Sequence, residues 1–259
     1  MLPRKMPRVA RFSIAPVRSL GLEHPTEIEL TELGVLEDRR FYLIDDAGRL
    51  VDRLVVPRLV QVLAHTNPAA TTLRLTFPDG QIVEDEICLA EATKTAIHGR
   101  TGVGHVVDGP WAHPLSHFAG RPLRIVRTDR PGGTRSAHPA TLLTDGSLAR
   151  LGAELGVGWV DPRRFRMLID LEGGEAHEED RWVGGRVALG GTILRISAPV
   201  PRCAITTQDP KTGQRDLDTL RAIKEYRGLA NGKDLLFGVW GEVERSGTIR
   251  VGEELRLLG

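Results

Sequence analysis

The stretch Arg186-Val-Ala-Leu-Gly-Gly-Thr-Ile-Leu-Arg-Ile-Ser197 decides the fold class of this sequence. Two short runs rich in β-branched and aliphatic residues, Arg186–Leu189 and Thr192–Ser197, flank a pair of glycines. Such runs, bounded by turn residues, are typical of β-strands. The pattern recurs along the chain, which has 29 glycines and 16 prolines in 259 residues. We therefore predict a mainly β protein with a few helices (α+β), built as a sandwich or barrel.

Further segments of the same character are predicted strands, and the turn residues Pro78-Asp-Gly80 predict a hairpin. These predicted strands are Val9–Val17, Glu27–Thr31, Arg40–Asp45, Leu59–Thr66, Thr71–Phe77, Leu123–Arg127, Phe165–Asp170, Cys203–Thr207, Leu235–Val243 and Glu254–Leu258.

Two segments have apolar residues at helical spacing. Leucines recur through Asp145–Leu155, where Asp145 is the expected N-terminal cap, and again with an isoleucine through Asp216–Tyr226. The stretch 98–114 is rich in Gly and His and shows no clear period, so we predict a loop joining an N-terminal β part to a C-terminal one. Pro114, between His113 and His117, disfavours a metal-binding helix there.

Composition excludes several classes of protein. The formal net charge is +1, so no global field draws the chain to nucleic acid. No run approaches the roughly 20 apolar residues that span a bilayer, and no secretory signal is evident. The two cysteines, Cys88 and Cys203, form no CxxC pair, which argues against a disulfide framework or a common zinc site. We expect a cytoplasmic protein with no membrane partner, and we interpret Cys88, between Ile87 and Leu89, as core packing.

The segment Pro199-Val-Pro-Arg-Cys-Ala-Ile-Thr-Thr-Gln-Asp-Pro-Lys-Thr-Gly213 places a cysteine beside a cation and several hydroxyls. Next to Arg202, with Thr206 and Thr207 following, Cys203 could act as a thiolate, the form that binds soft metals. The alternative from spacing alone is a buried structural cysteine.

Arginines are the second notable feature. Arg163–Asp170 alternates in strand fashion and places Arg164 and Arg166 on one face, while Arg18, Arg53 and Arg58 lie in the N-terminal half. Guanidinium groups suit phosphate, although for each arginine taken alone a solvated surface charge is the favoured interpretation. The segment His177-Glu-Glu-Asp180 lacks the second His of a zincin motif, and we interpret it as a solvated loop.

Several blocks jointly resemble one known family. They are Ala15-Pro-Val-Arg-Ser19, Thr31-Glu-Leu-Gly34, Glu37-Asp-Arg-Arg-Phe41, Leu142-Leu-Thr-Asp-Gly-Ser-Leu148, Arg202-Cys203 with Thr206-Thr207, Asp209-Pro210 with Thr212-Gly213, and Gly247-Thr-Ile-Arg-Val-Gly252. Together they resemble MOSC (molybdenum cofactor sulfurase C-terminal) proteins of the amidoxime-reducing type. The resemblance implies an N-terminal MOSC β-barrel domain over 8–97, a connecting loop over 98–114 and a MOSC β-barrel domain over 115–259.

The resemblance also implies a site. Cys203 would be the catalytic residue and the molybdenum ligand in a Mo-molybdopterin cofactor, and pyridoxal phosphate is not expected. The residues implied to bind the cofactor, its pterin or its phosphate are Arg18, Ser19, Arg53, Thr144, Ser147, Arg166, Arg202 and Thr206. The sequence departs from the family pattern at three places: Met167-Leu168 replaces a usual Pro-Asn, Pro201 a usual Ser, and Arg18 a usual Lys.

The implied activity is reduction of N-hydroxylated (N–OH or N-oxide) substrates by oxygen-atom removal at a Cys-ligated molybdenum centre. Its electrons would come from a separate donor protein, a flavin or iron–sulfur reductase, because two cysteines cannot hold a cluster that needs about four. Two alternatives stay open: a carrier that uses Cys203 for sulfur or cofactor without turnover, and a binding module whose Cys203 is structural.

Overall fold

The computed structural model describes residues 6–134 and 138–258. Residues 135–137 and Gly259, which fall in the predicted C-terminal domain, lie outside them. In these ranges the strands β1 to β17, in chain order, are Arg8–Phe12, Glu27–Leu30, Phe41–Ile44, Leu50–Val51, Leu63–Thr66, Thr72–Thr76, Ile82–Glu86, Cys88–Ile97, Arg100–Asp108, Arg124–Thr128, Ala140–Thr144, Ile169–Glu172, Arg186–Leu189, Thr192–Pro201, Leu236–Arg245, Gly247–Arg250 and Arg256–Leu258.

The α-helices of the described residues are short. They are α1 (Ala112–Ala119), α2 (Asp145–Leu155) and α3 (Thr219–Arg227), and 3-10 turns occupy Pro57–Gln61, Pro162–Arg164, Glu178–Trp182 and Ala204–Thr207. None of the helices in the described ranges has the length and apolar character needed to cross a membrane. The prediction of a mainly β fold with a few helices is confirmed.

Two main sheets divide the molecule, and each takes a strand from the other half of the chain. The seven-stranded sheet has the order β1-β12-β11-β15-β14-β13-β17, and the five-stranded sheet has the order β4-β3-β10-β9-β8. The N-terminal β1 thus pairs with β12, while β10, which lies in the predicted C-terminal domain, pairs with β3 and β9. The pairing of β2 with β16 is a third pairing between strands from the two halves of the chain.

Each sheet has its own apolar core. One core, with Phe12, Leu142 and Ile196, lies under the seven-stranded sheet, and another, with Phe41, Leu59 and Trp111, fills the N-terminal half. A third core lies where α2 and α3 pack against each other and the adjoining strands. The halves are therefore separate in their cores but joined by exchanged strands, and a cleft forms between them.

Several predicted elements match the structure closely. Arg186–Leu189 is β13 and Asp145–Leu155 is α2, with the bounds predicted for both. The Pro78–Gly80 hairpin is confirmed, because β6 pairs with β7 and Gly80 takes a φ of 89°.

The loop predicted over 98–114 is wrong. Arg100–Asp108 forms β9 between β8 and β10, and Ala112 begins α1. Gly102 and Gly104 occupy buried positions of β9, so the sequence does not show the alternation of apolar and polar side chains that is typical of a strand. A Cβ at Gly104 would lie 2.2 Å from the Arg127 carbonyl oxygen, so glycine is needed for that close approach. The inference against a helix at Pro114 also fails, because Pro114 lies in the first turn of α1, where proline is tolerated.

The predicted strand Cys203–Thr207 is a second error. Ala204–Thr207 is a 3-10 turn, in which the Thr206 and Thr207 hydroxyls donate to the carbonyls three residues earlier. Such local hydrogen bonds compete with a strand ladder. Phe165–Asp170 likewise begins as a turn with Arg166 at a φ of 51°, and β12 starts only at Ile169.

Two burial predictions are overturned. Cys88 is exposed rather than packed in a core, because it lies on the open face of β8. The His177–Asp180 segment is not a solvated loop, since Glu178 and Glu179 are buried in a 3-10 turn.

The N-terminal cap of α2 lies one residue before the predicted one. The Thr144 side chain accepts from the Ser147 N–H, while Asp145 lies in the first turn.

Candidate functional site

A cleft between the two halves encloses about 1000 Å³, part of it open to solvent. The N-terminal half contributes Arg18, Ser19 and Arg53, and the C-terminal half contributes Arg166 and the segment 200–203. Seven of the nine predicted site residues therefore meet at one place: Arg18, Ser19, Arg53, Arg166, Arg202, Cys203 and Thr206. Clefts of this kind, at domain interfaces, commonly bind cofactors.

Cys203 is exposed at this cleft, which excludes the alternative of a buried structural cysteine. It follows the end of β14 and precedes the 3-10 turn, and its carbonyl accepts from both Thr206 N–H (3.2 Å) and Thr206 Oγ1 (3.1 Å). Thr219 Oγ1 lies 2.7 Å from Thr206 Oγ1. The backbone of Cys203 is thereby fixed while its thiol stays accessible.

Thr206 lines the cleft, but its hydroxyl is committed to the protein. Since its proton goes to the Cys203 carbonyl, it must accept the proton of Thr219, the first residue of α3. These hydrogen bonds position Cys203, and the predicted contact of Thr206 with a cofactor stays a prediction.

Arg202 is also engaged by the protein. Its Nε donates to the Phe237 carbonyl (2.7 Å), Nη1 donates to the Phe165 carbonyl (3.3 Å) and Nη2 lies 2.7 Å from the Met167 sulfur. The guanidinium stacks 5.3 Å from the centre of the Phe165 ring. Burial lowers the pKa of Arg202 to about 9, and the adjacent Cys203 opposes that shift. Arg202 therefore fixes the end of β14 and places a positive charge behind the thiol.

Arg18 and Arg53 keep buried donors without partners. Arg18 Nη1 donates to the Thr134 carbonyl (2.7 Å) and Arg53 Nε donates to Gln208 Oε1 (2.8 Å). Arg18 Nε and Arg53 Nη2, however, are buried with no hydrogen-bond partner among the described residues. Burial and the charge of Arg39 lower the pKa of Arg18 to about 10, and burial with Arg164 does the same for Arg53. Unsatisfied buried donors of this kind call for an explanation.

Arg166 is a further arginine of the cleft, and its backbone is strained. Its φ is 51°, and those of two other lining residues, Ser19 and Arg39, are 74° and 55°. Its Nη2 donates to the Leu20 carbonyl (2.9 Å), and its own carbonyl accepts from Arg39 Nη2 (3.2 Å). Burial, followed by the charges of Arg53 and Arg39, lowers the pKa of Arg166 well below its ordinary value. Residues held in the left-handed region cluster at functional sites, where other contacts must hold them.

Not every arginine of the cleft is free. Arg39 pairs with Asp38, and Arg164 forms a bidentate pair with Asp216 at 2.7 and 2.6 Å. Arg18, Arg53, Arg166 and Arg202 have no carboxylate within ion-pair distance in ranges 6–134 and 138–258. Four cations without carboxylate partners, of which Arg53 is buried and the other three are half-buried, favour an anionic ligand.

Part of the cleft lining is apolar, and we call it the apolar wall. Phe165, Met167, Leu168, Val200 and Pro201 line it. Phe165 stacks on Phe237 at 4.7 Å, which fixes the base of this wall. Met167-Leu168 and Pro201, which depart from the family pattern, therefore make this side of the cleft less polar.

Two predicted site residues lie elsewhere. Thr144 and Ser147 do not line the cleft; their hydroxyls donate to the buried carboxylate of Glu179 at 2.6 and 2.7 Å. The Thr144 hydroxyl caps α2 and both hydroxyls hold that carboxylate, so the assignment of both to cofactor binding is not supported by their position. Burial raises the pKa of Glu179.

Sequence reasoning missed Arg39 and Arg164 as lining residues. Both were visible, Arg39 inside the block Glu37–Phe41 and Arg164 in the alternating arginine run. The sequence did not show which cations face the cleft, because the turn at Arg166 brings all of Arg164–Leu168 to the cleft instead of placing them on alternate faces of a strand. Arg58, the remaining candidate, is not a lining residue and lies over the Phe118 ring at 4.9 Å.

Comparison with known proteins agrees with this architecture. The family model described as "MOSC N-terminal beta barrel domain" matches residues 6–105, and that described as "MOSC domain" matches residues 123–256. The matched ranges end at 105 and begin at 123, so the predicted domain boundaries at 97 and 115 stay predictions.

Curated relatives span most of the chain. Rat mitochondrial amidoxime reducing component 2 is 35% identical over 95% of this chain and 81% of its own length, and human mitochondrial amidoxime-reducing component 1 is 27% identical over 97% and 83%. Molybdenum cofactor sulfurase from Drosophila grimshawi is 24% identical over 90% of this chain, but over 32% of its own length. The crystal structure of the YUAD protein from Bacillus subtilis aligns with a TM-score of 0.45 and 11% identity, covering 98% of this chain and 97% of that one. The chain belongs to the MOSC domain family and carries the MOSC N-terminal beta barrel domain alongside it.

Proposed function

We propose that this protein is a molybdenum-cofactor-dependent oxidoreductase that reduces N-hydroxylated compounds. One observation carries the proposal: an exposed thiol, Cys203, shares a cleft with four arginines, one buried and three half-buried, that have no carboxylate partner among the described residues. The relatives named for amidoxime reduction support the substrate class, and the relative named molybdenum cofactor sulfurase supports the cofactor.

The cleft fits a phosphate-bearing cofactor with a soft metal. The unpartnered donors Arg18 Nε and Arg53 Nη2 can supply charge-assisted hydrogen bonds to phosphate oxygens, and a thiolate is a ligand that soft metals prefer. Arg166 adds a third convergent cation from the other half of the chain. Binding would thus relieve mutual repulsion among these arginines as well as satisfy their donors.

When bound, the cofactor would supply two-electron removal of oxygen from an N–OH or N-oxide group. Cys203 would be its protein ligand, held by the Thr206 hydrogen bonds and backed by the Arg202 charge. The apolar wall around Leu168 and Pro201 would exclude water and receive the body of the substrate. Arg18, Arg53 and Arg166 would fix the cofactor against that wall.

Electrons would come from a separate protein. The chain has two cysteines, and Cys88 lies exposed on β8 rather than grouped with further ligands. In the described ranges no group of three or more His, Cys, Asp or Glu is arranged to hold a metal. We propose a flavin or iron–sulfur reductase as the donor, in a small and salt-sensitive contact.

The test is elemental and pterin analysis of protein made in a cofactor-competent host, followed by benzamidoxime reduction with reduced viologen. We expect about one molybdenum and one pterin per chain, and turnover with viologen but not with NADH alone. A loaded protein without turnover would favour the carrier alternative. Protein that holds neither molybdenum nor pterin would contradict the proposal.

A further inference from the structure

The side chains of Arg53 and Gln208 join the two halves of the chain. Arg53 Nε donates to Gln208 Oε1 at 2.8 Å, and Gln208 Nε2 donates back to the Arg53 carbonyl at 3.0 Å. Both residues are buried, so water does not compete for these hydrogen bonds. One amide thereby satisfies a guanidinium nitrogen and the main chain of the same arginine.

Gln208 belongs to the segment that carries the thiol. The 3-10 turn Ala204–Thr207 begins directly after Cys203 and ends directly before Gln208. The Gln208 N–H donates to the Ile205 carbonyl at 3.1 Å, which closes that turn. The same short segment therefore carries Cys203 at one end and holds the guanidinium of Arg53 at the other.

A neutral partner distinguishes Arg53 from two other arginines of the cleft. Arg39 pairs with the Asp38 carboxylate. Arg164 forms a bidentate pair with the Asp216 carboxylate. Each of these carboxylates offsets the charge of its arginine, whereas an amide adds no charge. Arg53 is therefore held in place by a partner that leaves its positive charge available.

The two carboxylates that neighbour this pair in sequence have other partners. Asp52 Oδ1 accepts from the Leu54 N–H at 2.9 Å. Asp209 Oδ1 accepts from the Thr212 N–H at 2.7 Å. Neither carboxylate lies within ion-pair distance of Arg53, and Arg53 Nη2 is buried with no hydrogen-bond partner among the described residues. A charge and a donor are thus both left over on a residue that lines the cleft.

We infer that Gln208 is a positioning residue that fixes Arg53 for a phosphate group in the cleft, by supplying hydrogen bonds without a countercharge. Gln208 does not line the cleft and acts through Arg53, which does. The ligand class follows from the guanidinium, whose fork of N–H groups matches phosphate oxygens. This inference rests on the proposed function, in which the cleft holds a phosphate-bearing cofactor, and names a residue that controls how tightly that phosphate is bound.

The test changes the charge at position 208 and keeps the shape of the side chain. In Gln208→Glu, the carboxylate can accept from both Nε and Nη2 of Arg53, since these N–H groups of a guanidinium lie side by side. Isothermal titration of the cofactor-free protein with inorganic phosphate at low salt should then give a Kd about ten-fold weaker than in the parent protein. The matched control is Gln214→Glu, which adds the same charge at an exposed position and should leave the Kd within about two-fold.

A second variant separates position from charge. Gln208→Met keeps the length of the side chain but leaves Arg53 Nε and the Arg53 carbonyl without partners, so the urea midpoint should fall. Its phosphate Kd should weaken about three-fold, because Arg53 keeps its charge but is no longer fixed. This variant decides the question if Gln208→Glu does not fold.

A purely structural Gln208 would give a lower urea midpoint in Gln208→Met and a parent-like phosphate Kd in both variants, and that result would overturn the inference. An equal loss of affinity in Gln214→Glu, or no phosphate binding by the parent protein, would overturn it as well. The titrations need neither molybdenum nor turnover. If protein from a cofactor-competent host holds no molybdenum or pterin, the proposed function fails and the phosphate titrations still decide the role of Gln208.

Discussion

Two charged regions of this molecule differ in whether their polar groups have hydrogen-bond partners within the protein. The Glu179 carboxylate is fully buried, and the Thr144 and Ser147 hydroxyls satisfy both of its oxygens. In the cleft, by contrast, Arg18 and Arg53 each have a buried nitrogen without a partner among the described residues, and Arg166 adds a strained backbone. The Glu179 carboxylate thus has its hydrogen-bond partners within the protein, whereas the arginines of the cleft leave donors without them.

We infer from this difference that the Glu179 region is structural and that the cleft is functional. A satisfied buried network stabilises the fold, whereas unpartnered like charges destabilise it and persist for a ligand. The Glu179 region should therefore control stability, and the cleft should control cofactor content and activity. Variants that separate these two outcomes test the comparison.

The largest effect is expected at the thiol. Cys203→Ser should lower reductase activity at least about 100-fold, because a hydroxyl is a harder and far less acidic ligand than a thiol. The measurement is viologen-driven benzamidoxime reduction at matched protein concentration. Cys88→Ser is the control and should keep nearly full activity, since Cys88 is exposed on β8. Full activity in Cys203→Ser would remove the ligand assignment.

Arg166→Met should weaken cofactor binding by about 3 kcal/mol, the scale of charge-assisted hydrogen bonds lost from a buried site. Molybdenum and pterin contents should fall together. The cofactor-free protein should be no less stable in urea, because the repulsion from Arg53 and Arg39 disappears. Arg163→Met is the matched control: Arg163 pairs with Asp161 and does not line the cleft, so its loss should spare cofactor content. Parent-like contents in Arg166→Met would show that this arginine is dispensable.

Thr144→Val should lower the free energy of unfolding by about 2 kcal/mol. The change removes the cap of α2 and one hydrogen bond to the buried Glu179 carboxylate. Urea denaturation of the cofactor-free protein measures the loss, and Thr144→Ser, which keeps a hydroxyl, should recover most of it. Cofactor content per folded protein should not change; a selective loss of pterin would instead assign Thr144 to the site.

The smallest effect is a pH dependence in the Glu179 region. Burial, followed by the charge of Arg227, lowers the pKa of His177 from 6.5 to about 4. The unfolded chain therefore takes up a proton near pH 6.5 while the folded protein stays neutral there. The stability contribution is complete above pH 6.5 and falls as the pH drops toward 4. His177→Gln should flatten the urea midpoint over this window, and an identical slope in both proteins would contradict the assignment.

The elements that local pattern determines were predictable from the sequence. The Gly190-Gly191 pair and its flanking aliphatic runs specify β13 and the start of β14, and the leucine spacing specifies α2. β9 was not predictable, because its buried face carries Gly102 and Gly104, whose role depends on close contacts with residues distant in sequence. Thr206 and Thr207 misled in the opposite direction, since β-branched residues formed a 3-10 turn through local hydrogen bonds.

The sequence predicted which residues belong to the site better than it predicted what each residue does there. Cys203, Arg18, Arg53 and Arg166 do converge, as the family resemblance implied. The family motif could not show that the hydroxyls of Thr144 and Thr206 are bound to protein groups rather than to the cleft. That distinction depends on where Glu179 and Thr219 lie after folding.

The exchange of strands between the halves has a consequence for biosynthesis. Arg11 of β1 reaches its partner Asp170 of β12 only after 159 further residues have been made. At a typical translation rate this delay is roughly 10 to 30 s, during which β1 leaves the ribosome without its sheet. The Arg18 N–H donates to the Phe41 carbonyl within the N-terminal half, so Arg18 shares a cleft with Cys203 only once the C-terminal half has been made and folded. A truncated or stalled chain therefore cannot form the cleft, and cofactor loading would report that synthesis and folding are complete.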